Sequence, residues 1–299
     1  MSCEHPLLAL DLGVTSDGKR HIKILPLRDG DNLQAFEYRY GYKNILALPC
    51  GKCMACKEQY RKYWTERCIL ESKQYVTNYF VTITYDELHN PVKLKKKDLQ
   101  DFIREVRRDK SFRYFGCGEY GELGFRPHYH LIMFGLNLQD LSYYAKSDNG
   151  VALFTSQFLT DKWKKGLIMV EEFHPNNAAY VAGYVHKKLG KESVFDDAPE
   201  FILMSTRPGI GYAGLKEQED EYLKYGHLIG PNGRIMRLGR YASKIIDIPQ
   251  EVKERNLEAL RISENQAMNQ FGLVNREQLW YRKGKDIEDR VKHRRRKKC

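Results

Sequence analysis

Hydrophobic positions in the middle of the chain follow two periods, one of strands and one of helices. Residues 80–85 (FVTITY) are β-branched and aromatic, the composition of a strand. Leu99, Phe102, Ile103 and Val106 then recur at i, i+3, i+4 and i+7, the stripe of an amphipathic helix. Two apolar runs, 112–119 and 127–134, flank a glycine-rich turn and predict a β-hairpin. In the second run His128, His130, Ile132 and Phe134 share one face, while Tyr129, Leu131 and Met133 share the other. A strand apolar on both faces is expected to be central and covered on both sides. Phe154, Phe158, Leu159 and Trp163 mark a second helix, with Ser156 as N-cap and Gly166 just past its end. Residues 167–173 read as a strand. A third helix is expected from Asn177 to Lys188 or Leu189, with Gly190 as its C′ residue.

The order strand, helix, strand, strand, helix, strand, helix opens as the split βαβ pattern. The expected fold class is α+β: a ferredoxin-like antiparallel sheet with packed helices, plus helical N- and C-terminal additions. The N-terminal stretch is less patterned. Residues 22–27 read as a strand, and residues 54–74 as a helix in which Tyr60, Trp64 and Cys68 recur at i+4. After Gly190 the pattern weakens, apart from a charged, helix-favouring stretch at 249–269. Three regions are expected: 1–76 with a cysteine box and a helix, a core at 77–190, and an accessory region at 191–299 with a basic tail.

Composition narrows the class. The 299 residues are 42% hydrophobic and 12% aromatic, which excludes a disordered chain. A net charge of +11 points to an anionic partner, nucleic acid before an acidic membrane surface. No apolar run approaches the roughly 20 residues of a membrane span. The short run at 7–10 lacks the basic leader of a secretory signal. Seven cysteines, an odd number, fit a reducing cytoplasm better than a disulfide framework.

Three groups of residues carry chemistry. His128 and His130, two apart on a strand, reach in parallel and can grip one metal ion. If the hairpin sets Glu119 opposite His128, its carboxylate joins them; Glu122 competes as third ligand. Two nitrogens and an oxygen suit a divalent ion acting on a phosphate. Tyr180 and Tyr184, four apart on the third helix, share a face, and Lys187 and Lys188 follow. A phenol is a poor nucleophile at neutral pH unless its target is polarised and a cation favours the phenolate. The third group is the box PCGKCMAC. Cys50, Cys53 and Cys56 are spaced by three, and Cys68 follows. On a continuous helix Cys56 and Cys68 stand about 18 Å apart, so they do not share an ion. The box is either a three-cysteine zinc site with an outside ligand or a set of small buried thiols. The run RPGIGYAG places Gly209, Gly211 and Gly214 at dinucleotide-fingerprint spacing, but no acidic residue ending a second strand follows, so a glycine-rich loop is expected. The terminal HRRRKKC is either a solvated tail or an electrostatic arm for phosphates.

The set resembles a known family. RPHYHLIMFG is similar to the histidine–hydrophobic–histidine motif of HUH endonucleases, YVAGYVHKK to their two-tyrosine motif, and FVTITYDE to the first motif of rolling-circle replication initiators. With PCGKCMAC upstream and RPGIGYAG downstream, the likeness is strongest to the replication initiators of microviruses, the gokushovirus-like branch of small single-stranded DNA phages. The shared nuclease motifs cover about 80–190, and the flanking boxes extend the likeness over about 50–240. The resemblance implies an HUH nuclease core and a metal-dependent, site-specific single-strand DNA endonuclease and ligase. Such an enzyme starts and ends rolling-circle replication through a covalent 5′-phosphotyrosine. Tyr180 and Tyr184 would be nucleophiles, His128 and His130 would ligate Mg²⁺ or Mn²⁺, and Lys187 or Lys188 would be the motif lysine. Implied partners are origin single-stranded DNA and, by family analogy, a host helicase and polymerase in the bacterial cytoplasm. No membrane partner is expected. The resemblance gives no role for the cysteine box. Two other readings stand beside it: a relaxase or transposase with the same chemistry, and a non-catalytic module that stacks single strands on a ferredoxin-like sheet. A mononuclear iron oxygenase could use the same ligands, but it explains neither the charge nor the tyrosines.

Overall fold

The computed structural model describes residues 3–16, 20–25, 33–41, 45–121, 124–147, 149–187 and 195–296. The chain begins with β1 (Leu7–Val14), β2 (Arg20–Ile24), α1 (Leu33–Tyr40), β3 (Ile45–Leu48) and α2 (Met54–Ser72). It continues with β4 (Asn78–Thr84), α3 (Lys96–Arg107), β5 (Arg113–Tyr120), β6 (Pro127–Phe134), β7 (Leu141–Lys146) and β8 (Ala152–Ser156). Then come α4 (Gln157–Trp163), β9 (Ile168–Glu172), α5 (Pro175–Lys187) and β10 (Phe201–Met204). Shorter elements lead to two long helices, Gln250–Phe271 and Arg276–Arg296. Two compact units result: residues 60–253, and residues 1–59 together with 254–299.

The larger unit is built on a seven-stranded sheet in the order β10-β5-β6-β4-β9-β8-β7, antiparallel throughout. Its inner four strands, β5-β6-β4-β9, have the ferredoxin-like order, so the expected fold class holds. The alternation along β6 divides the core in two. Tyr129, Leu131 and Met133 face a layer holding Leu99, Phe102, Ile103 and Val106 of α3 and Leu159 and Trp163 of α4. Ile132 and Phe134 face the other layer, with Trp64 and Cys68 of α2 and Ala178, Val181 and Ala182 of α5. Fully burying one such aliphatic or aromatic side chain contributes about 1.5–3 kcal/mol, so a slip of β6 by one residue, which exchanges its faces, is strongly disfavoured.

Local chemistry sets the element ends. Ser156 caps α4 by accepting the Leu159 N–H at 3.2 Å, and Asp140 holds the Ser156 hydroxyl at 2.9 Å. Phe154, expected on this helix, lies instead in β8. The i+4 spacing of Phe154 and Phe158 spans a strand–helix junction, and the β7–β8 hairpin left no signal that separated it from a helix. The third helix begins at Pro175 rather than Asn177. Pro175 suits a first turn that has no use for its N–H, and Asn177 turns its Oδ1 back to accept the His174 N–H at 2.6 Å. Leu189 and Gly190 lie outside the described residues.

The glycine-rich loop is seated on α2. The Arg67 guanidinium lies 4.0 Å from the Trp64 ring centroid and 3.8 Å from that of Tyr241, and its Nε donates to the Ile210 carbonyl at 2.9 Å. Glu71 accepts the Gly211 N–H at 2.6 Å. Gly211 has a φ of +79°, and a Cβ there would stand 2.8 Å from the Arg67 carbonyl oxygen. Helix approach is what this loop's glycines serve.

The smaller unit carries a three-stranded sheet, β2-β1-β3, with Leu7 opposite Leu48 and Ala9 opposite Ile24. Of these strands the sequence pattern marked only the middle of β2. The buried apolar cluster here, among the described residues, is Leu8, Leu25, Phe36 and Trp280. Trp280 Nε1 donates to Glu264 Oε1 at 3.1 Å, which ties the two long helices together. The basic run at 294–296 is the end of the second of them.

Candidate active site

The hairpin register decides what meets. β5 and β6 pair with Glu119 opposite His128 and Cys117 opposite His130. Glu119, 2% exposed, thus lies beside both imidazoles. Its Oε1 is 2.7 Å from His128 Nε2 and 3.0 Å from His130 Nε2. The Tyr180 hydroxyl, arriving from α5, donates to the same Oε1 at 3.3 Å. The second oxygen, Oε2, is buried without a hydrogen-bond partner. A carboxylate oxygen left bare in a protein interior is costly. Burial opposes ionisation of Glu119, but hydrogen bonds and charge from His128 and His130 outweigh it and hold the carboxyl below its usual range.

The far side of each ring is also engaged. His128 Nδ1 donates to the Arg126 carbonyl at 3.1 Å, and His130 Nδ1 is 3.1 Å from Thr82 Oγ1 on the neighbouring β4. Occupied Nδ1 atoms leave the Nε2 atoms as ligands, the usual outer-shell arrangement of metal-binding histidines. Aromatic packing fixes the planes. His130 stacks on Phe80 at 5.3 Å and meets the Tyr180 ring edge-on at 5.0 Å. The donor atoms of Glu119, His128 and His130 all fall within 4.8 Å of one another, a group able to hold a metal ion. Two imidazoles and a carboxylate, with one carboxylate oxygen unused, fit a divalent cation.

Tyr180 is 41% exposed, so its ring edge is open to a strand of nucleic acid. Tyr184 and Lys187 belong to the last turn of α5, where the backbone alone is described. Lys188 and Glu122 lie outside the described residues. Tyr129, between the histidines, points into the opposite layer. Its hydroxyl donates to the Lys95 carbonyl at 2.9 Å and lies 2.7 Å from the Tyr85 hydroxyl, and burial pushes its phenol up to about 12. It is core. Sequence reasoning missed Thr82 and Phe80 as supports of His130. Their signal was available: Phe80 and Thr82 alternate on one face of the 80–85 strand. Cys50, Cys53 and Cys56 lie together before and at the start of α2, and Cys3 joins them. Cys68 is fully buried under the sheet.

Residues 78–189 match the family model of replication-associated proteins of the ORF2 type. That stretch contains β4 to α5 and so every member of the site. Two curated relatives extend the likeness beyond it. Replication-associated protein VP4 of Bdellovibrio phage phiMH2K is 28% identical over 237 residues, 73% of this chain and 75% of the relative. Replication-associated protein ORF2 of Spiroplasma virus 4 is 28% identical over 243 residues, 73% and 76% of the two chains. Replication-associated protein ORF4 of Chlamydia phage 1 is 28% identical over 153 residues, 47% of this chain and 38% of its own length. No solved structure matches. The resemblance to microvirus replication proteins carried by the motifs is therefore shown.

Proposed function

We propose that this protein initiates rolling-circle replication by cutting single-stranded DNA at an origin and holding the new 5′ end on a tyrosine. The observation that carries the reading is convergence on one carboxylate: Glu119 Oε1 gathers His128 Nε2, His130 Nε2 and the Tyr180 hydroxyl, while Oε2 is left unused. A metal ligand set and a nucleophile would then sit at one point. Family likeness to replication-associated proteins supports the biology.

Glu119, His128 and His130 would hold Mg²⁺ or Mn²⁺, which when bound supplies Lewis acidity toward the scissile phosphate. Tyr180 Oη forms the new phosphorus–oxygen bond, and the bond from phosphorus to the sugar 3′ oxygen breaks. The proton lost by the phenol is balanced by the one gained at the 3′ oxygen. Lys187 or Lys188 stabilises the negative charge that develops. One phosphodiester is exchanged for another, so a 3′ hydroxyl can attack the phosphotyrosine and reseal the strand without ATP. Tyr184, one turn further along α5, is the second nucleophile, available to attack the regenerated origin while Tyr180 holds a 5′ end. The chemistry is assigned to the core at 77–190. The freed 3′ hydroxyl would prime a host polymerase, with a host helicase opening the template, in the cytoplasm of a bacterial host. Among the described residues no helix is long and apolar enough to cross a membrane.

The test is incubation of a randomised pool of single-stranded oligonucleotides with Mn²⁺ or EDTA. Cleavage at a preferred sequence is expected in Mn²⁺, leaving a 3′ hydroxyl and a protein-blocked 5′ end. Binding without cleavage under every divalent ion would make the protein a single-strand binding module. Undiminished cleavage in EDTA would exclude a metal from the reaction.

A further inference from the structure

A second group of ligand-bearing side chains lies in the smaller unit. The sulfurs of Cys3, Cys50, Cys53 and Cys56 all fall within 4.8 Å of one another. Cys50 Sγ is 3.9 Å from Cys56 Sγ, and Cys53 Sγ is 3.9 Å from Cys3 Sγ. These two pairs share no atom, so they are opposite edges of a four-cornered figure. Four thiolates at about 2.3 Å from a zinc ion define a tetrahedron with edges of about 3.8 Å. All four thiols are free. Sulfurs this close enclose one ion and leave no room for an iron–sulfur cluster.

The backbone around them is arranged for thiolates. The Cys50 N–H donates to Cys3 Sγ at 3.3 Å, and the N–H groups of Lys52 and Cys53 donate to Cys50 Sγ at 3.4 Å each. Such donors offset the charge that four thiolates bring to a divalent ion. The turn that aims them needs Gly51, whose φ is +74°. Cys3 comes from the segment just before β1, Cys50 and Cys53 from the turn after β3, and Cys56 from the first turn of α2. β1 and β3 are paired neighbours, so the four residues sit at one end of the small sheet. That sheet rests on a thin apolar cluster, Leu8, Leu25, Phe36 and Trp280. Small cores of this kind are commonly supplemented by a metal or a disulfide.

We propose that Cys3, Cys50, Cys53 and Cys56 bind one structural zinc ion that clamps the start of β1 to the turn between β3 and α2. Four protein ligands close the coordination sphere, so the ion supports the fold and not the chemistry. Thiolates select zinc, whereas an imidazole–carboxylate set accepts harder ions such as Mn²⁺. The two sites would therefore hold different metals.

The test uses the full chain, purified under reducing conditions without added chelator. Elemental analysis should find one zinc per chain, and replacement by Co²⁺ should give the absorption of a tetrahedral four-thiolate site with thiolate-to-cobalt charge transfer. Cys3→Ser or Cys53→Ser should lose that signature. Cys68→Ser and the double variant His128→Gln, His130→Gln should keep it. A chain free of zinc yet folded would overturn the proposal, as would zinc that leaves with the two histidines. So would a disulfide among the four cysteines in the folded protein, or an unchanged four-thiolate spectrum in Cys3→Ser. Where a cysteine variant does not fold, the unsubstituted chain's stoichiometry and cobalt spectrum still decide for or against the site.

Discussion

The ligand group of the sheet and the cysteine group of the smaller unit are assembled by opposite means. Glu119, His128 and His130 stand on two neighbouring strands, in a register fixed by a hydrogen-bonded ladder and by apolar layers on both faces. Their positions are set before any ion arrives. Cys3, Cys50, Cys53 and Cys56 come from a chain end, a turn and a first helical turn, over a cluster of only Leu8, Leu25, Phe36 and Trp280. Their roles divide accordingly. An ion in the sheet serves chemistry and leaves the fold alone, and an ion among the cysteines serves the fold and leaves the chemistry alone.

The most severe challenge to this division is His128→Gln with His130→Gln. Cleavage in Mn²⁺ should fall by at least about 10³-fold, since metal and preorganised charge supply several kcal/mol to the transition state. Single-strand affinity should change by less than about threefold, because it rests on distributed charge. A parallel loss of binding, followed by gel shift, would mean that the histidines are structural. Metal removal sharpens the same point: brief EDTA treatment should stop cleavage, and added Mn²⁺ should restore it with the circular dichroism of the sheet unchanged throughout.

Packing gives the next largest effect. Phe134 is wholly buried in the sheet, and Phe134→Ala should cost about 3–5 kcal/mol in denaturant unfolding. Tyr38 of the smaller unit is 94% exposed, and Tyr38→Ala should stay within about 0.5 kcal/mol. Similar losses at both positions would show that the smaller unit buries more than its cluster suggests. The smallest effect is expected from the C-terminal charges. Deleting residues 294–298 should lower the slope of log K against log salt by roughly 0.7 for each phosphate no longer neutralised. An unchanged slope would leave those residues as the solvated end of a helix.

Much of this was legible in sequence, for a physical reason. Where a residue's role depends on a short period, the sequence states it. His128 and His130 at spacing two, Tyr180 and Tyr184 at spacing four, and the stripe from Leu99 to Val106 all belong to local repeats. Ser156 announced its helix by cap chemistry. Illegible parts depend on distance or on edges. Cys3 lies far upstream of Cys50, and no local spacing links them. β10 and the β7–β8 hairpin are partly exposed, so their patterns are weak, and Phe154 fell into a helical spacing by chance. Thr82 was readable as strand but not as a partner of His130, because that pairing needs the register between β4 and β6.

Covalent chemistry on α5 can be measured directly. The protein is incubated with single-stranded DNA and Mn²⁺, digested, and searched by mass spectrometry for a nucleotide-linked peptide. A phosphodiester on Tyr180 or Tyr184 is expected in the unsubstituted chain and in each single Tyr→Phe variant. None is expected when Tyr180→Phe and Tyr184→Phe are combined. Cleavage without a tyrosine-linked peptide, or an adduct that survives in the double variant, would contradict the proposed chemistry.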